Sequence, residues 1–188
     1  MDSARVPVIR PDVDRDIAFG EMDMYSRIVV PLDGSDVAEY ALPAAMEMAR
    51  RFNAPLHLVR VVDPPATNIA FGVDSMIAAK SIAMQRETER ALAAEYLAEN
   101  ATELAGQGIE VTTSLHIGQA PAELVGVMRP GDLFIMSSHG RSGIARWYLG
   151  SVAEQVVRQA TVPVMVVRGE TSRSVRERTT ARTMAAAR

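Results

Sequence analysis

Residues 137–151, SSHGRSGIARWYLGS, combine glycines, serines, a histidine and arginines between an apolar run and a helix-forming stretch. Gly140 and Gly143 let the backbone turn sharply and bare its N–H groups. Gly150-Ser151 then opens the next helix, and Ser151-Val152-Ala153-Glu154 reads as a capping box with Ser151 as N-cap. A helix start carries unpaired N–H donors and a partial positive charge. Glycine turn and helix start together suit a phosphate, whose oxygens the Arg141 guanidinium matches in pairs. The same composition fits an ordinary surface loop, and glycine spacing alone leaves both readings open. Two named phosphate motifs are excluded. There is no Gly-Lys-Ser/Thr, Lys80 being the one lysine of the chain, and no GxGxxG follows the first strand.

Asp33-Gly34-Ser35 is the second stretch with site chemistry, a carboxylate in a turn after an apolar run, though turn and cap duty alone would also explain it. His57, His116 and His139 lack metal-ligand spacing, and the first two read as structural histidines. No partner acid marks His139 as a general base, so we assign no catalytic residue and no metal site. The chain has no cysteine, which excludes thiolate catalysis, disulfides and thiolate metal centres.

The elements that must hold these residues alternate. RIVVPL (27–32), LHLVRVV (56–62), residues 109–117, DLFIMS (132–137) and VPVMVV (162–167) read as strands. Unbroken β-branched runs are the mark of strands buried on both faces. Helices are expected over 37–51, where Leu42, Ala45, Met46 and Ala49 share a face, and over 75–105, where Ala93, Leu97, Ala101 and Leu104 do. A short helix follows Pro121, and another spans 151–160. The order βαβαβαβαβ implies an α/β fold, a three-layer, doubly wound, five-stranded parallel sheet of Rossmann-like type. Ligands of such sheets bind at strand carboxyl ends where the winding reverses. Here the candidate ends are residues 31–33, 61–63 and 136–138.

With 188 residues, 48% apolar and 23% charged, the chain can bury one sizeable core. Its net charge of −3 gives no electrostatic case for nucleic acid or an anionic membrane. No apolar stretch approaches the roughly 20 residues of a membrane helix. Residues 1–25 read as a flexible leader without a signal core, which predicts a cytoplasmic protein. Residues 26–168 read as one domain, and 169–188 as an Arg-rich, disordered tail. The last strand, apolar and at the sheet edge, predicts a homodimer.

RIVVPLDGSDVAEYAL (27–42) and IMSSHGRSGIARWYLGSVAEQVV (135–157), followed by VPVMVV, resemble the universal stress protein family over about residues 26–168. The resemblance implies the same five-stranded fold, of adenine-nucleotide alpha-hydrolase-like type, usually dimeric. Some members bind ATP and others do not. The binders' signature is Gly, two residues, Gly, nine residues, then Gly followed by Ser or Thr. Gly140, Gly150 and Ser151 match it, and Ser137 stands where the first glycine belongs. A side chain there is tolerated if φ is negative and costly if φ is positive. By the resemblance, Pro31, Leu32 and Asp33 border the adenosine, Val61 presents backbone groups to the base, and Met136 lines base or ribose. Ser137, His139, Gly140, Arg141, Gly150, Ser151 and Val152 face the phosphates. Two functions are implied. One is an ATP-binding stress-response or signalling module, gated by ATP with or without magnesium, hydrolysing it slowly at most, and acting on an unidentified protein partner. The other is a nucleotide-free dimeric interaction protein of the same fold.

Overall fold

The computed structural model describes residues 24–63, 74–140 and 150–170. Its elements run β1 (Arg27–Pro31), α1 (Asp36–Glu39), α2 (Leu42–Phe52), β2 (Leu56–Val62), α3 (Asp74–Ala105), β3 (Val111–Ile117), α4 (Ala120–Val127), β4 (Asp132–Gly140), α5 (Ser151–Gln159) and β5 (Val164–Glu170). The five strands form one sheet in the order β3-β2-β1-β4-β5, every neighbouring pair parallel. From β1 the chain winds out through β2 to β3, then returns to place β4 on the other side of β1. The reversal therefore lies between β1 and β4, where doubly wound sheets open a crevice.

The central strands are apolar in succession because both faces are covered. Ile28, Val29 and Val30 of β1 have no exposed surface at all. On one face Ile28, Val30, Leu56 and Leu58 meet Ala45 and Ala49 of α2 and Leu97, Ala101 and Leu104 of α3. On the other, Val29, Val59, Phe134 and Met136 meet Leu124 of α4 and Ala153 and Val156 of α5. The stripe Ala93, Leu97, Ala101, Leu104 is buried, as its spacing predicts.

Four local expectations are corrected. The helix expected over 37–51 is two helices. Pro43 stands in the first turn of α2, and its missing N–H and bulky ring cannot continue a ladder from Glu39. The third strand begins at Val111, with Ile109 buried ahead of it. β4 and β5 run on to Gly140 and Glu170, three residues past the expected ends, because their backbones keep pairing up to Gly140 beside Glu170. The capping box is not formed. Gly150 is the N-cap of α5, Ser151 is its first helical residue, and no side chain caps the helix.

β3 lies at a sheet edge, and on the α4/α5 face its row is polar, Thr112, Ser114 and His116. Beside that row His57 places Nδ1 2.8 Å from Thr112 Oγ1 and Nε2 2.9 Å from Ser114 Oγ. Burial, and then the Arg27 and Arg129 charges, push the imidazole pKa down to about 4 from 6.5. His57 thus stays neutral in the fold while the unfolded chain takes up a proton below about pH 6.5. Its contribution is complete above that pH and is lost as the pH falls toward 4, by up to about 3 kcal/mol. Urea unfolding is expected to show that part of the acid destabilisation missing in His57→Gln. Identical losses in variant and parent would exclude the assignment.

Candidate nucleotide-binding site

A cavity of about 260 Å³ opens at the carboxyl ends of the strands, at the reversal between β1 and β4. Its rim begins with Pro31, Leu32 and Asp33, where β1 ends. Val59 and Val61 of β2 face Ala120 and Leu124 of α4, making an apolar slot. Met136 and Ser137 of β4 form the floor on the other side. Gly150, Ser151, Val152 and Ala153, the start of α5, close the far end, with Ala38 of α1 beside them. Ligand pockets run from about 300 to 1,000 Å³ and combine apolar walls with a few convergent polar groups. This one, at about 260 Å³, falls just below that range, the scale of a nucleoside-sized group.

Three features give the site its polarity. The first is Asp33. Its Oδ1 accepts from Ser35 N at 2.8 Å, which fixes the carboxylate, while Oδ2 has no partner among the described residues. Ser35 in turn caps α1 by accepting from Ala38 N at 3.2 Å, so the turn is held from both sides. The second is the start of α5. Gly150 holds φ at +84° and ψ at 146°, a conformation that only glycine adopts without strain. The first intrahelical bond is Glu154 N to Gly150 O at 2.9 Å. The amides of Ser151, Val152 and Ala153 precede it, so they have no helical acceptor, and these residues line the cavity. The third is Ser137. It sits in β4 beside Val167, and Asn53 alone among the described non-glycine residues has positive φ. A side chain at the first signature position is therefore accommodated by extended backbone.

Nine of the residues singled out from sequence line this one cavity: Pro31, Leu32, Asp33, Val61, Met136, Ser137, Gly150, Ser151 and Val152. His139 and Gly140 are the last two positions of β4. Arg141, with the rest of the loop up to 149, lies outside the described residues. Sequence reasoning missed Ala38, Val59, Ala120, Leu124 and Ala153. Val59 was within reach, because strand alternation puts it on the same face as Val61. Ala120 and Leu124 are four apart on α4 and so share a face, but nothing local says which strand that face meets.

A family model for the universal stress proteins matches residues 24–168. The chain belongs to the universal stress protein family. Its relatives include the universal stress protein MJ0531 of Methanocaldococcus jannaschii, 32% identical over 151 residues that cover 78% of this chain and 84% of that protein. Another is the universal stress protein YxiE of Bacillus subtilis, 28% identical over 154 residues, 77% of this chain and all of that one (100%). Among solved structures, the universal stress protein UspA from Lactobacillus plantarum superposes with a TM-score of 0.63 at 25% identity, covering 77% of this chain and 98% of that one. A universal stress protein solved in complex with cAMP shares the fold at a TM-score of 0.54 and 24% identity, covering 77% of this chain and 97% of that one. Among the described residues no helix is long and apolar enough to cross a membrane, and no group of three or more acidic or histidine side chains could hold a metal ion.

Proposed function

We propose that this universal stress protein binds an adenine nucleotide, ATP in the first instance, and acts as a nucleotide-gated stress-response or signalling module. One observation carries the reading. The cavity at the β1/β4 reversal joins an apolar slot, sized for a base, to uncapped amides at the start of α5, with the Asp33 carboxylate on the rim between β1 and α1. In this arrangement Val59, Val61, Ala120 and Leu124 sandwich the base. Asp33 Oδ2 accepts from a ribose hydroxyl. The α5 amides and Ser151 receive phosphate, with the helix dipole favouring the negative charge. A magnesium ion would arrive with the nucleotide's own phosphates. The cAMP complex of another family member supports the fold's capacity for adenine nucleotides. The sequence departure at Ser137 lends the nucleotide-free reading no support, since extended backbone holds that residue without strain. Gating would act in the cytoplasm on a homodimer joined along β5, the outermost strand of the sheet on that side.

Thermal melting tests this directly. A ligand at about 100 times its Kd stabilises by about 2.7 kcal/mol, which for a domain of this size raises Tm by roughly 5 to 11 °C. Millimolar ATP with magnesium is expected to produce that rise. An unchanged Tm would overturn the proposal in favour of the nucleotide-free protein.

A further inference from the structure

Resting on the adenine-nucleotide reading, we infer that Arg60 and Tyr96 are positioning residues. They hold the Asp33 turn from behind and so set a preference for a nucleotide that carries ribose hydroxyls.

Arg60 stands on the far side of the sheet from the slot. Val59 and Val61 line the cavity, and strand alternation sends Arg60 to the other face, where Leu58 joins the core beneath α2 and α3. There the guanidinium lies over the Tyr96 ring of α3, with Cζ 5.0 Å from the ring centroid. A cation so placed is attracted to the ring face. The same guanidinium presses against the turn. A Cβ at Gly34 would stand 2.8 Å from Nη1 and 3.2 Å from Cζ, so the group fills the space that a side chain at this position would need. Tyr96 secures the other end of the segment, donating from its hydroxyl to Glu39 Oε1 at 2.9 Å. Glu39 is the last residue of α1, the helix that follows the turn at once. A carboxylate only accepts, which fixes the direction of this bond. Burial, and then the Glu39 bond, raise the phenol pKa well above its ordinary value, so the proton stays in place to be donated.

The contacts close a circuit around Asp33. The chain enters the segment at Leu32, whose N–H donates to Val59 O at 2.8 Å, one residue before Arg60. It is then met by Arg60 at Gly34 and by Tyr96 at Glu39. The charges of Asp33 and Arg60 both bear on the phenol, which places turn, guanidinium and ring close together. Asp33 itself is exposed, so no core packing fixes its carboxylate and the turn must do so. Ser35 N takes Oδ1 and leaves Oδ2 for a hydroxyl. A carboxylate already ordered in this way accepts a hydroxyl without first losing freedom.

Calorimetry with ATP and with dideoxy-ATP, the analogue that lacks the ribose hydroxyls, tests this. The parent is expected to bind ATP about ten- to a hundredfold more tightly, the value of a hydrogen bond to a charged group. Tyr96→Phe deletes one oxygen, and Arg60→Met keeps an unbranched stem. Each is expected to cut the preference by about threefold or more and to leave dideoxy-ATP affinity within about twofold of the parent's. Arg60→Lys keeps the charge but loses the planar group, and is expected to resemble Arg60→Met. Losses shared equally by both nucleotides would mean that Arg60 acts through its charge on the phosphates, and they overturn the positioning role. An unchanged preference in the variants overturns it too, and equal affinity of the parent for both nucleotides overturns the hydroxyl preference. A ligand-free arm follows amide exchange at Ser35 and Ala38, bonded within the turn, against Val29 and Val59 of the buried strands. Faster exchange confined to the turn supports the role. Exchange that is unchanged there, or faster everywhere, overturns it whatever binds. Exchange that quickens in the turn, in variants of a parent that binds neither nucleotide, overturns the nucleotide reading and leaves the support of the turn standing.

Discussion

Gly150→Val is expected to weaken ATP binding at least about a hundredfold while the sheet stays folded. Position 150 holds φ at +84°, and nothing lies within 4 Å of where a Cβ would stand. The penalty is therefore backbone strain rather than collision. A β-branched residue in that region is a genuine outlier, and strain of this kind costs on the order of 1–3 kcal/mol. The chain relieves it by rotating φ to a negative value, which re-aims the amides of Ser151, Val152 and Ala153. Hydrogen bonds to a charged group contribute about 1.5–3 kcal/mol each. Losing two of them amounts to a factor of a hundred or more. Calorimetric titration with ATP, alongside urea unfolding, separates the two effects. Ser151→Ala is the control. Its hydroxyl makes no cap bond, so stability should barely change. Undiminished ATP affinity in folded Gly150→Val would mean that the phosphates lie elsewhere.

Asp132→Ala is expected to produce the largest loss of stability. Arg27 and Asp132 sit side by side in register on β1 and β4. The guanidinium grips the carboxylate with both arms, Nε to Oδ1 at 2.8 Å and Nη2 to Oδ2 at 2.7 Å. Oδ2 also accepts from Arg129 N at 2.7 Å, and Arg27 Nη2 donates to Val127 O at 3.0 Å. Asp132 is only 2% exposed. Removing the carboxylate strands the Arg27 cation, only 14% exposed, without its counter-ion and leaves the turn before β4 without its acceptor. Breaking a buried pair in this way costs about 3–5 kcal/mol. For a domain of this size the fall in Tm is roughly 6 to 20 °C. Replacing both partners by apolar residues, Arg27→Met with Asp132→Leu, is expected to recover much of that loss, because no charge is then left unpaired. A Tm within a degree or two of the parent for Asp132→Ala alone would show that water reaches Arg27 and compensates it.

The sequence by itself determined the period of each element and the chemistry at its ends. RIVVPL (27–32) reads as a doubly buried strand because no polar residue interrupts its apolar run, and Ile28, Val29 and Val30 are buried completely. Ala93, Leu97, Ala101 and Leu104 recur at helical spacing, and they form the buried stripe of α3. Asp33 and Gly150-Ser151 stand out as turn and helix-start chemistry wherever they occur. These signals are local, and a few neighbouring residues contain all of the information.

Only the tertiary structure decided what those elements meet. Strand order cannot be read from a strand, yet the order β3-β2-β1-β4-β5 is what brings Asp33 near Ser137 and Gly150. Ala120 and Leu124 became a wall because α4 crosses over Val59 and Val61, a contact between segments about 60 residues apart. The capping box at Ser151 failed because Gly150 took the cap with a backbone angle that no serine holds at ease. The pairing of His57 with Thr112 and Ser114 depends on the register of β2 against β3. The physical reason is common to all four. Propensity and periodicity act within a segment, whereas pairing, register and helix placement are fixed by burying both faces of the sheet at once.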